Sequence, residues 1–219
     1  MAEINLLDFY PRAGRPIEER GARVTDEHRA VARRFGAEYF DGDRLYGYGG
    51  YTYHPRFWTA TVRRFRDHYR LPEDVAVLDV GCAKGFMMHD FKRLMPSLTI
   101  AGIDISRYAY EHAMETVKPF LCVANAKELP YEDNSFDLVI SINTIHNLAP
   151  EDCKQALREI QRVTRKHAFV SVDAWRTKGE RERLMKWNLT GLTYMHVDDW
   201  KKLFAEVNYT GDYYWFIAE

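Results

Sequence analysis

From residue 74 onward, short apolar runs alternate with amphipathic stretches. VAVLDV (75–80), LTIAGID (98–104), FLCVAN (120–125), FDLVISI (136–142) and HAFVSVDAW (167–175) are rich in Val and Ile and apolar at consecutive positions. A strand with one wet face would alternate apolar with polar residues, so these runs read as strands buried on both faces, as in a parallel sheet. Helix candidates lie between them at Phe86 to Leu94, Ser106 to Val117 and Pro150 to Arg165. Glu180 to Trp187 and Lys201 to Val207 read as two further helices, and the closing YTGDYYWFIAE as a sixth strand. Strand and helix alternating at this spacing predict an α/β fold with a doubly wound, mostly parallel sheet, whose ligands bind at the carboxyl ends of the strands.

The first 70 residues follow a different pattern. Thr25 to Tyr39 has an N-cap residue in Thr25 and acidic residues in its first turn, then Val31, Phe35 and Tyr39 four apart, which predicts one amphipathic helix. In Asp41 to Trp58, Gly42, Gly47, Gly49 and Gly50 are interleaved with Tyr46, Tyr48, Tyr51 and Tyr53. That glycine density predicts a loop carrying large flat side chains. Phe57 to Tyr69 reads as a second helix, stopped before Pro72. Residues 1–70 contain 13 Arg and no Lys, so the change in composition coincides with the change in pattern and divides a helical extension (1–70) from a core (71–219).

At 219 residues the chain is long enough for one sizeable core. A formal charge of -1 removes the broad electrostatic case for a nucleic-acid binder. Cys82, Cys122 and Cys153 are odd in number and form no CxxC pair, which suggests neither disulfides nor a metal site and fits a reducing, cytoplasmic setting. The N-terminus lacks the basic start and apolar run of a secretory signal, and no apolar stretch is long enough to span a membrane. A soluble, unprocessed protein with no membrane partner is expected. Tyr, Phe and Trp make 14% of the chain, an excess that can fill a core or line a pocket.

Candidate chemistry starts where the first strand runs into VLDVGCAKGF, placing Asp79, Gly81 and Gly85 around a strand-to-helix turn. Glycines let the backbone turn sharply and approach a ligand, and the following helix offers free N–H groups. Asp104 ends the second strand 19 residues after Gly85, where a carboxylate can accept hydrogen bonds from a ribose. A dinucleotide fingerprint would need glycine at 83 and 86, where Ala83 and Phe86 stand. Asp79 also suits a cationic amino-acid group better than a diphosphate.

Taken with Asn125-Ala126 and LPYEDNSFDLVIS (129–141), these motifs resemble the class I S-adenosylmethionine-dependent methyltransferases over roughly residues 71–208. The last run is very similar to the ubiquinone/menaquinone-biosynthesis type. The resemblance implies a Rossmann-like fold and S-adenosyl-L-methionine as cofactor, held by Asp79, Gly81, Cys82, Ala83, Gly85, Asp104, Ile105, Asn125, Ala126 and Asn143. Ala83 departs from the family's commoner glycine. The resemblance also implies that Asp41–Trp58 folds over the cofactor as a lid, Tyr46 and Tyr48 facing the cofactor and Tyr51 and Tyr53 the substrate. The family's seventh strand has no counterpart here, which leaves a sheet edge open to a second copy of the chain and so to a homodimer.

Methyl transfer from a sulfonium is an in-line displacement in which the protein supplies alignment and a dry pocket. Where the acceptor arrives protonated, a base is needed, and His146 after the fourth strand is the candidate. Asn147, Asp173, Trp175 and Tyr194 are candidates for substrate contact, and Arg44 and Arg56 for an anionic group on it. The reading that results is a methyltransferase acting on an oxygen or nitrogen of a small polar metabolite. A quinone-ring carbon methyltransferase and a non-catalytic sensor of the cofactor are the alternatives.

Overall fold

The computed structural model describes every residue except Arg12, Ala13 and Gly50, so one glycine of the tyrosine-glycine segment lies outside the described residues. The strands are β1 (Ala76–Val80), β2 (Thr99–Asp104), β3 (Leu121–Val123), β4 (Phe136–Ile142), β5 (Thr164–Trp175), β6 (Met195–His196) and β7 (Asp212–Phe216). They form one sheet in the order β3-β2-β1-β4-β5-β6, with β7 also paired to β5. Every pairing between these strands is parallel. The helices are α1 (Ile17–Arg23), α2 (Asp26–Ala32), α3 (Ala37–Asp41), α4 (Pro55–Tyr69), α5 (Phe86–Leu94), α6 (Arg107–Glu111), α7 (Pro150–Val163), α8 (Lys178–Trp187) and α9 (Val197–Glu206).

The strands are apolar at consecutive positions because a two-residue period sends neighbours into two different helical layers. Leu78, Val80, Val139, Val170 and Val172 pack with Leu157 and Ile160 of α7 and Trp200 and Phe204 of α9. Val77, Leu138, Ile140 and Phe169 pack on the other face with Val62 and Phe65 of α4 and Met88 and Phe91 of α5. Leu6 joins the second cluster, so the N-terminal extension shares a core with the sheet.

Several expected boundaries moved. The helix expected over 25–39 is two, because Phe35 takes a left-handed φ of 50° and Gly36 is extended at the start of α3. Thr25 does cap α2, accepting the His28 N–H while its own N–H donates to His28 Nδ1. α4 starts at Pro55, inside the expected loop, where His54 Nδ1 accepts the Arg56 N–H. α6 ends at Glu111 instead of running to Val117, and α1 was not expected at all.

The sheet edge also differs from expectation. β7 takes the place of the expected sixth strand, and the strand count reaches seven through the two-residue β6, which pairs with Ala174 and Trp175. The free side of β7 carries the chain's own N-terminus: Ile4 N–H donates to Tyr213 O and Tyr213 N–H to Ala2 O. The edge on which a second copy was expected is thus partly satisfied within the chain. No helix among the described residues is long and apolar enough to cross a membrane.

Phe169 of β5 is fully buried and meets Phe65 of α4 edge-on, 5.1 Å between ring centroids. Phe169→Ala is expected to cost about 3–5 kcal/mol through the lost transfer energy and the cavity left behind, read as a lower midpoint in urea unfolding.

Candidate active site

At the carboxyl ends of the strands lies a cavity of about 650 Å³. Its floor is the β1-to-α5 turn. Gly81 has a φ of 87°, and its N–H donates to Ile103 O at 2.8 Å. A Cβ at this position would lie 2.0 Å from Thr144 Oγ1, so only glycine lets the turn pass under the end of β4. Ala83 also has a positive φ, 49°, the left-handed region that explains why glycine is the commoner residue there. Gly85 starts α5 with a φ of 76° and does not line the cavity. Its role is to set the turn.

Two carboxylates define what this floor can hold. Asp104 Oδ2 accepts the Ala83 N–H and Oδ1 the Ser106 N–H, both at 2.8 Å, so the group is locked while its remaining lone pairs border the cavity. Burial pushes its pKa up, opposed by the Ser106, Ala83 and Ile105 N–H groups. Asp79 is buried at the end of β1, and burial together with the charge of Asp104 pushes it up to about 8. A buried carboxylate in that state calls for a cationic partner. Asp79 for an ammonium group, Asp104 for ribose hydroxyls, and Cys82, Ile105, Asn125 and Ala126 around them fit an adenosine that carries a free amino-acid group, and all six line the cavity. Asn143, at φ 52°, lines it too, its Oδ1 accepting from Ser171 Oγ at 2.9 Å.

The aromatic roof differs in membership from the expected lid. Tyr48 and Tyr51 line the cavity, but Tyr46 packs on His28, and Tyr53 donates to Asp90 and stacks edge-on against His89. Tyr48 contributes its ring, since its hydroxyl accepts the Leu189 N–H at 2.8 Å. Tyr39, expected at the end of a helix, and Phe40 pack against Tyr51 and line the cavity, which Tyr10, Trp58, Tyr214 and Phe216 line as well. The roof is tied down by two buried cations. Arg20 donates to the carbonyls of Trp187, Arg44 and Gly47 and lies over the rings of Tyr48 and Trp187. Lys84, from the glycine turn itself, grips both oxygens of Asp41 at 2.7 and 2.8 Å and reaches Tyr51 O at 3.3 Å.

On the far side, Asn147, His146 and Asp173 line the cavity with Arg15, Arg176 and Thr190. Trp175 and Tyr194 do not; they pack on each other. Arg44 and Arg56 are likewise absent from the lining, and Arg15, Arg33, Arg34 and Arg176 supply its cations. His146 is buried, and its Nδ1 accepts the backbone N–H of Asp173 at 3.2 Å. A neutral imidazole accepting at Nδ1 carries its proton on Nε2, which faces Asp173 Oδ2 at 3.6 Å. Burial lowers the His146 pKa against the charge of Asp173 and keeps the ring neutral. With Nδ1 accepting from the backbone and the proton on Nε2, the lone pair a base would use, as expected of His146, is engaged in this arrangement.

A parallel sheet with this glycine turn, acidic strand end and cavity suits a nucleoside cofactor carrying an amino-acid group. Residues 78–172 match the family model described as a methyltransferase domain. A tRNA (carboxymethyluridine(34)-5-O)-methyltransferase of Arabidopsis thaliana is 33% identical over 132 residues, 59% of this chain and 31% of that protein. A ubiquinone/menaquinone biosynthesis C-methyltransferase of Hahella chejuensis is 35% identical over 103 residues, 41% of this chain and 39% of that one. The chain thus spans well under half of either relative. The crystal structure of YcgJ from Bacillus subtilis shares the fold at a TM-score of 0.54 and 17% identity, covering 67% of this chain and 66% of that one. Residues 78–172 thus form a methyltransferase domain, and the chain has the fold of the class I S-adenosylmethionine-dependent methyltransferases. Its cofactor is S-adenosylmethionine, which supplies an electrophilic methyl group on a sulfonium.

Two substitutions test the site. Gly81→Ala is expected to abolish cofactor binding in calorimetry, because the new Cβ and Thr144 cannot share one position. Arg20→Met leaves three carbonyls without their donor, and each acceptor left buried and unpaired costs about 1–3 kcal/mol. Lower unfolding stability and faster proteolytic cleavage within residues 41–54 are expected.

Proposed function

We propose that the protein transfers the methyl group of S-adenosylmethionine to an oxygen or nitrogen of a small polar metabolite in the cytoplasm. The observation that carries this reading is the polar far side of the cavity, where Asp173, His146, Asn147 and Thr190 face the space beyond the cofactor turn. A heteroatom acceptor brings hydrogen-bonding groups that such a wall can meet. A quinone with a prenyl tail would need an apolar channel, whereas Arg15, Arg176 and Asp173 are among the residues that line this cavity. The roof of Tyr39, Tyr48 and Tyr51 supports a small acceptor, since it closes over the cavity and excludes water from the displacement. In this reading the segment 41–58 acts as a lid that opens for exchange. Three free thiols support the reducing compartment.

RNA as acceptor is a second reading, favoured by the activity for which the Arabidopsis relative is named. An assay with methyl-labelled cofactor against a pooled small-metabolite fraction and against total tRNA separates the two. Label is expected in the low-mass fraction, and label confined to tRNA would replace the first reading with the second.

A further inference from the structure

Among the carboxylates that line the cavity, Asp79 and Asp104 flank the cofactor turn and Glu219 stands at the end of the chain. Asp173 is different. It lies two residues before the end of the long strand β5, is only 5% exposed, and lines the cavity. Its backbone is pinned on both sides: its N–H donates to His146 Nδ1, and its carbonyl accepts from Trp200 Nε1 at 2.9 Å. Its carboxylate accepts no hydrogen bond among the described residues, and His146 Nε2 stands 3.6 Å from Oδ2, beyond hydrogen-bond range. A little-exposed carboxylate that lines a cavity without a protein donor is stabilised by a group that arrives there and donates to it. Nearby on the same cavity wall, Asn147 Oδ1 is buried and also accepts nothing among the described residues, while Asn147 Nδ2 donates to Asn143 O. Two unfilled acceptors on one wall ask for an N–H or O–H group on the incoming molecule.

We propose that Asp173 is the catalytic base, taking the proton of an amine or hydroxyl acceptor, and that His146 is a positioning residue that aims it. The assignment rests on the O- or N-methyl reading and deepens it. As the bond from the acceptor atom to the methyl carbon forms, the carbon–sulfur bond breaks and sulfur keeps its electron pair. The proton on the acceptor atom passes to Asp173, which later releases it to water. The sulfonium and the carboxylate charges vanish together, so the buried site ends neutral. Burial holds the Asp173 carboxyl above the ordinary carboxylate range, with His146 and Arg15 pulling the other way. The titratable and charged groups facing it are His146 from the turn after β4, Arg15 from the N-terminal segment and Tyr48 from the roof.

The test needs no knowledge of the acceptor. Sinefungin carries a C–NH3+ group where S-adenosylmethionine has its S–CH3+, whereas S-adenosylhomocysteine has a neutral thioether there. A base poised at the transferring methyl should bind that ammonium. Calorimetry on the intact protein is expected to give at least tenfold preference for sinefungin over S-adenosylhomocysteine at neutral pH. That preference should fall away as the pH drops through a value above the usual ~4 of a carboxylate. Asp173→Asn, or Asp173→Ser should the first fail to fold, is expected to lose the preference while S-adenosylhomocysteine binds within twofold of wild type. His146→Asn keeps an acceptor for the Asp173 N–H but removes the proton facing Oδ2, so the preference should persist with its acid limb moved to higher pH. A preference intact in the Asp173 variants, or lost in His146→Asn and kept in them, overturns the assignment. Failure of wild type to bind S-adenosylhomocysteine at all would instead strike the methyltransferase reading beneath it.

Discussion

A glycine-rich segment laid over a cavity turns its backbone carbonyls towards protein instead of water, and each must find a donor. Two cations meet that requirement here. Arg20, on a helix that precedes the segment, serves the carbonyls of Arg44 and Gly47 from beneath and joins them to Trp187 of α8. Lys84, four residues past the end of β1, ties Asp41 and Tyr51 to the glycine turn that holds the cofactor. The planar guanidinium suits the first task because it presents several donors in a fixed fork while its faces stack on Tyr48 and Trp187. The position of the aromatic roof over the cavity depends on these two contacts.

The Lys84 contact also links roof and floor chemically. Asp41 receives the ammonium of Lys84 and the hydroxyl of Tyr108, which overcome the upward push of burial and hold its carboxyl below the usual range. The roof is therefore fastened at neutral pH by the same turn whose N–H groups are fixed by Asp104. Across the cavity, His146 gives the far wall a similar rigidity. Its carbonyl accepts from Leu192 and Thr193 and its ring from Asp173, so one buried residue braces the end of β4, the end of β5 and the stretch after α8.

The sheet was the most legible part of the chain. Each of β1, β2, β4 and β5 falls within two or three residues of its apolar run, because burial between two helical layers keeps most strand positions apolar on both faces. The helical extension was less legible. Phe35 and Tyr39 have helical spacing but do not share a helix, since Phe35 adopts a left-handed conformation whose cause is tertiary: its carbonyl accepts from Ser106 Oγ at 2.6 Å. α1 escaped notice because Ile17 and Arg20, its buried residues, form no apolar stripe, and a buried arginine looks from sequence like a solvated one.

What the sequence determined by itself is whatever a short stretch dictates: the parallel sheet, from apolar runs with no polar face, and the cofactor turn, from glycines at positions where only a missing Cβ fits, together with the carboxylate 19 residues on. Those features are local, and local spacing is written in the chain. Tertiary structure alone decided which aromatic rings roof the cavity and which chemical state His146 holds. Tyr48 and Tyr51 turn inward while Tyr46 and Tyr53 turn away, although the four are interleaved with glycine in one segment. His146 is kept neutral, with Nδ1 engaged, by burial and by the backbone of a strand 27 residues further along. Hydrogen-bond partners and desolvation set those outcomes, and both belong to the packed molecule and not to residue order.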